Sequence, residues 1–157
     1  MRHSLSALLL ALGASAVVAC GRGDAAGPSG DDVGDPTADV NGIWYVTLSN
    51  FSGRGFTCNA HASIELSQSG SSFSGTFYEN SEECWGPGSY GGLIPGDMIQ
   101  DGVVTGRRIS FIIYGSPGSH FSGTVAPDGR SMSGNGTMAG DFDDNRVALS
   151  GTWVAEK

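Results

Sequence analysis

The acidic run Asp141-Phe-Asp-Asp-Asn145 places Asp141, Asp143 and Asn145 at the 1, 3, 5 spacing from which a calcium loop draws oxygen ligands. Arg146 stands where such a loop needs Gly, and Thr152 stands where it needs the closing Glu, so the run also reads as a solvated acidic turn. Glu82-Glu83 sets two carboxylates beside the Cys84 thiol. No neighbour in sequence would raise a pKa there, and the reading is a solvated charge pair rather than an acid–base couple. His3 falls in the leader, while His61 and His120 fall at strand ends on the surface. The chain holds neither a Gly-x-Ser-x-Gly elbow nor a His-Glu-x-x-His pair. The expectation is a protein with no catalytic residues, no cofactor and no metal centre stronger than the Asp141, Asp143, Asn145 candidate.

The elements that carry these residues announce themselves by a repeated pattern. Phe73-Ser-Gly-Thr-Phe77 returns as Phe121-Ser-Gly-Thr-Val125 and as Leu149-Ser-Gly-Thr-Trp153. Apolar, Gly, apolar at positions 1, 3, 5 against Ser and Thr at 2 and 4 is a strand of period two, with one greasy face and one hydroxyl face. A Gly on the apolar face of a strand marks a bulge, a bend or a close backbone approach at a barrel corner. The same alternation predicts eight strands, at about 42–49, 60–67, 72–79, 98–105, 107–114, 119–125, 131–138 and 147–155.

Gln68-Ser-Gly-Ser-Ser72, Thr105-Gly-Arg107 and Pro127-Asp-Gly129 are tight-turn signals, and they fall on the second, fourth and sixth connections. The connections at 50–59, 80–97, 115–118 and 139–146 are longer. In an up-and-down meander this parity predicts a cup with a tight floor and a looped rim. The fold class expected is all-β, an eight-stranded antiparallel up-and-down barrel, with a β-sandwich of the same strands as the alternative. Trp44, Val46, Leu48, Ile64, Leu66, Phe73, Phe77, Ile109, Phe111, Ile113, Phe121, Val125, Leu149 and Trp153 are expected to face inward. Most of the strands are shorter than those that span a bilayer, which favours an inward over a lipid-facing apolar side.

The chain of 157 residues is long enough for one ordinary domain, and its 39% hydrophobic content can supply a core. A net charge of -8 without a basic cluster excludes nucleic acid as a partner. A weakly basic start and an apolar run from Leu5 to Val18 read as a secretory signal peptide over 1–19. Val17-Val18-Ala19-Cys20 resembles the lipobox of bacterial lipoproteins, which implies lipidation of Cys20, a membrane anchored partnership and residence in the bacterial cell envelope. In the enteric proteins an Asp after the Cys favours retention at the inner membrane; Gly21 stands here, so the resemblance implies the outer membrane. Residues 20–40 hold Asp24, Asp31, Asp32, Asp35 and Asp39 among Gly, Pro and Ala, and read as a disordered acidic tether. The domain is expected over 41–157.

With Cys20 assigned to lipid, Cys58 and Cys84 remain in an oxidising compartment and are expected to form a disulfide. On the eight-strand reading both lie in rim loops, which the bridge would tie together. Gly42-Ile-Trp44 matches the Gly-x-Trp signature of lipocalins, and Gly42-Ile-Trp-Tyr45 with Ser74-Gly-Thr-Phe-Tyr78 is similar to the opening strands of avidin-like proteins. Phe121-Ser-Gly-Thr-Val125 falls where those proteins carry a Trp-Ser-Gly strand. The domain thus resembles the calycin group. That resemblance implies a small apolar ligand in the cup, bounded by Trp44, Phe73, Phe77, Phe111, Phe121 and Trp153. The alternative is a filled barrel whose rim loops engage an envelope or extracellular protein, as an adaptor or an inhibitor of the protease- or lysozyme-directed type.

Overall fold

The computed structural model describes residues 36–87, 91–143 and 145–157. The leader, Cys20 and most of the tether lie outside the described residues. Nine strands appear in the order β1 (Gly42–Gly53), β2 (Phe56–Ser69), β3 (Ser72–Trp85), β4 (Gly91–Leu93), β5 (Met98–Thr105), β6 (Arg108–Tyr114), β7 (His120–Val125), β8 (Ser131–Phe142) and β9 (Asn145–Glu156). Eight of them close into an antiparallel barrel, β1-β2-β3-β5-β6-β7-β8-β9, through the β8–β9 and β1–β9 ladders. That closure decides for the up-and-down barrel over the sandwich. Each of the eight expected strands is present, and β4 is an addition.

The inward face is the expected one. All fourteen residues expected to face inward, from Trp44 to Trp153, are buried. On the outer face Thr47, Glu65, Ser67, Thr124 and Thr152 are exposed, as period two requires. The glycines of the repeated pattern sit at close backbone approaches. A Cβ on Gly75 would collide with the Glu65 carbonyl, one on Gly123 with the Ser133 carbonyl, and one on Gly151 would meet Ser49 O and the Phe51 ring. The strands coil tightly at these points because nothing larger than hydrogen stands between them.

The floor is tight, as expected. Two-residue turns at 70–71 and 106–107 join β2 to β3 and β5 to β6. Residues 36–41 cross this end: Ala38 N–H donates to Gly106 O at 2.8 Å, and Val40 N–H donates to Gln68 Oε1 at 2.8 Å. Val40 is fully buried and accepts the Trp44 indole N–H at 2.9 Å. Trp44 therefore plugs the floor, with Lys157 Nζ 4.6 Å from its ring centroid. The chain arrives at the floor, and the opposite end points away from it.

The rim departs from expectation. Connections placed at 50–59 and 139–146 are mostly strand: β1 and β2 run on to a tight turn at Arg54-Gly55, and β8 runs on to a turn at Asp143 before β9. Their period is broken by a bulge at Asn50, which shifts the β1–β2 register between Leu48 and Phe51 and brings Phe51 back to the core. Asn50, Arg54 and Asp143 hold left-handed φ values of 54°, 50° and 51°. A second bulge in β5, at Asp101 with φ 51°, resets the register between Gln100 and Val103. The remaining long connection, 86–97, contains β4. It pairs Gly91–Leu93 with Phe142–Gly140 of β8, above the point where β7 ends. Asp97 then receives the Phe77 N–H at 2.9 Å and donates to Tyr114 O at 3.3 Å, closing the wall over the short β5 and β6.

Candidate functional site

The disulfide between Cys58 and Cys84 is present. It does not tie two long loops, because both residues lie in strands. Cys58 and Cys84 face each other in the β2–β3 ladder with Cα atoms 4.1 Å apart, the spacing of a non-hydrogen-bonded antiparallel pair. The bridge staples the rim ends of two strands, on the inner side, where Cys58 is fully buried.

Beside it the bulge at Asn80 turns Glu82 and Cys84 to the inner side of β3, opposite Ala60 and Cys58. Glu82 is half-buried and its Oε2 accepts the Leu93 N–H of β4 at 2.9 Å, so it is a structural clamp. Only Glu83 of that pair is exposed, which corrects the reading of both as solvated. Glu79, two strand steps below, is half-buried; burial first and the Glu82 charge second push its carboxyl above the ordinary value of 4.5. His61 lies within β2 rather than at its end, with Nδ1 3.4 Å from Thr47 Oγ1, and His120 opens β7 at the surface.

The acidic run at 141–145 forms the β8–β9 hairpin tip. Asp141 pairs across the ladder with Arg146, and Asn145 Nδ2 donates to the Asp143 carbonyl at 2.7 Å. That bond holds the Asn145 side chain on the turn through its Nδ2. No group of three or more His, Cys, Asp or Glu among the described residues is placed to hold a metal ion.

The six aromatic side chains expected to bound a ligand are brought into the barrel, five of them around its middle and Trp44 at the floor. Phe111 stacks on Phe121 with centroids 5.1 Å apart and 4° between planes. Trp153 meets Phe111 and Phe121 edge-on at 5.7 and 6.4 Å, and Phe73 meets Phe111 edge-on at 6.0 Å. Phe51, hidden from a periodic reading by its bulge, joins the cluster 6.1 Å from Phe121. The Trp153 indole N–H donates to Ser122 O and Asn135 O, both at 3.2 Å, so its polar atom is satisfied by the wall. A void of about 10 Å³ is left between Val46, Leu48, Ile64, Phe77, Phe111, Ile113, Phe121 and Trp153. That is room for about one water-sized sphere, against the roughly 300 Å³ at which small-molecule sites begin.

Outside the barrel the surface is divided. Six of the exposed large hydrophobic residues, Ile43, Tyr45, Tyr78, Met98, Val103 and Tyr114, fall on the outer wall of β1, β2, β3, β5 and β6. The wall of β7, β8 and β9 presents mainly Ser122, Thr124, Ser133, Asn135, Ser150 and Thr152, with Val154 exposed among them. Trp85 is half exposed at the rim end of β3. Comparison with protein-family models, with curated proteins and with solved structures finds no match for this chain.

Proposed function

We propose that this chain is a non-catalytic, lipid-anchored envelope protein whose barrel acts by binding another protein with its outer surface, as an adaptor or an inhibitor. The observation that carries the reading is the filled interior: the aromatic residues that would bound an apolar ligand pack against one another around a void of about 10 Å³. A small ligand in the cup, the other reading of the sequence, would need several of those rings to move. The lipobox-like leader supplies the anchor at Cys20. Because the chain reaches the barrel at its floor, the anchor would leave the rim and the outer wall turned to the surroundings. The rim consists mainly of tight hairpins, so it offers tips rather than long loops.

Photo-cross-linking in intact envelopes of the native host tests this. The reading expects a discrete protein adduct from a cross-linker at an outer position and none from one at a core position. It also expects Cys20→Ser to release the protein from the membrane fraction. Cross-links only to lipid, or an adduct that forms equally from the core position, would contradict it.

A further inference from the structure

The aromatic wall is continuous across the sheet. Ladder partners run Ile43, Glu65, Thr76, Met98, Tyr114 in one row over β1, β2, β3, β5 and β6, and Tyr45, Ser63, Tyr78 in the row above. At the ordinary strand spacing the first row is roughly 19 Å wide. Ile43, Tyr45, Tyr78 and Tyr114 are each more than half exposed, at 56, 66, 52 and 57%. Tyr side chains held on strands offer large contact area at little entropic cost, and aromatic residues are enriched in protein interfaces.

The charge of this wall is one-sided. On β1, β2, β3, β5 and β6 the exposed carboxylates Glu65, Glu83 and Asp101, with half-buried Glu79, stand against a single Arg, Arg108, at the end of β6 away from Tyr114, and no Lys. Glu65 sits exposed in the middle of the patch, between Ile43 and Thr76. Any surface that covers the wall takes that carboxylate out of water, which is tolerable only if a cation comes with it. A second copy docking by the same wall brings only Arg108 against the exposed Glu65, Glu83 and Asp101, because in a two-fold contact each wall meets itself, and most of the negative charge stays uncompensated. An anionic membrane surface is repelled for the same reason.

We infer that the outer wall carrying Ile43, Tyr45, Tyr78, Met98 and Tyr114 is the docking face for a basic protein that places Arg or Lys opposite Glu65. The inference rests on the protein-binding reading and names its face and the chemistry of its partner. Tyr rings around a carboxylate suit a guanidinium, which stacks on the one and pairs with the other.

The test is a nuclear magnetic resonance titration of the whole chain, carrying Cys20→Ser to keep it lipid-free, with the hexapeptide amide (Arg-Trp)3 as a cationic, apolar probe and (Glu-Trp)3 as its acidic counterpart. Saturable shifts of the Tyr45, Tyr78 and Tyr114 ring signals with the Arg peptide alone are expected. The Kd should rise about fivefold from low to physiological salt. Glu65→Lys and the pair Tyr45→Ala, Tyr78→Ala should each weaken binding about tenfold while the unfolding midpoint holds. Shifts confined to Trp85, Asp141 and Asp143 would overturn the assigned face and leave protein binding standing. Shifts of the core rings would overturn both, and equal response to the two peptides or none at all would overturn the inference. Concentration-dependent shifts of the same Tyr rings without peptide would assign the wall to a second copy and overturn it too.

Discussion

The Trp153 ring fills the space that a side chain on Gly123 would need: a Cβ there would stand 2.8 Å from Trp153 Cζ2 and would run into the Ser133 carbonyl. Gly151 stands in the same relation to the Phe51 ring, while Gly75 meets Leu66, and all three glycines of the Ser-Gly-Thr strands face a neighbouring backbone carbonyl. Gly123 lets adjacent strands coil closely and lets a large ring lie flat on the wall, and the wall in turn satisfies the indole N–H through Ser122 O and Asn135 O.

Gly123→Ala is therefore predicted to destabilise the barrel by about 2–4 kcal/mol, since one obstacle is backbone and cannot rotate away. Ser122→Ala, one residue away on the exposed face, should change stability by less than about 0.5 kcal/mol. Urea unfolding of the two variants checks this, and similar midpoints for both would contradict it.

Replacing Cys58 and Cys84 by Ala should cost about 3.5 kcal/mol, the loop-closure value for a sequence separation of 26 residues. Because the bridge joins neighbouring strands at the rim, the loss should appear first as faster amide exchange in the rim halves of β2 and β3, with the floor unchanged. Uniform acceleration over the whole barrel would argue against a local staple.

Phe121 stacks on Phe111 and is 1% exposed. Phe121→Ala is predicted to cost about 3–5 kcal/mol and to open an apolar cavity that takes up benzene or xenon, whereas the parent barrel takes up neither. Uptake by the parent would show that the interior is less filled than its packing indicates.

Glu79 gives a pH signature. Burial and the Glu82 charge raise its carboxyl above 4.5, so the folded state holds a proton there that the unfolded chain releases at lower pH. Its contribution to stability is thus present below about pH 4.5 and lost as pH rises through the folded value. Glu79→Gln should match the parent near pH 4 and exceed it in Tm at pH 7. A difference that shrinks with rising pH would contradict the assignment.

How much of this was legible in the sequence follows from where the alternation holds. Strands β6 and β7 keep a clean period and β5 ends at a Gly turn in spite of its bulge, and the limits of all three fall within one or two residues of those expected. The rim halves of β1 and β3 were hidden because bulges at Asn50 and Asn80 shift the period, so Phe51 and Glu82 change faces and strict alternation misplaces them. Left-handed Asn50, Asp101 and Asp143 belong to the residue types that tolerate that conformation, and this is the signal that could have located two bulges and a hairpin tip. β4 holds three residues, Gly91, Gly92 and Leu93, too few to show a period at all. The aromatic wall was legible only in part. The alternation within β3 and β6 turns Tyr78 and Tyr114 outward, but their alignment with Tyr45 and Ile43 depends on ladder register, which no single strand carries.

The central claim is that the barrel is filled and works from its outside. Native mass spectrometry of residues 20–157, processed and oxidised in a bacterial envelope and released from its lipid, tests it most directly. The account predicts the protein mass alone, two hydrogens below that of the reduced chain. A reproducible small-molecule adduct that is lost on denaturation would contradict it and return the barrel to the role of a ligand carrier.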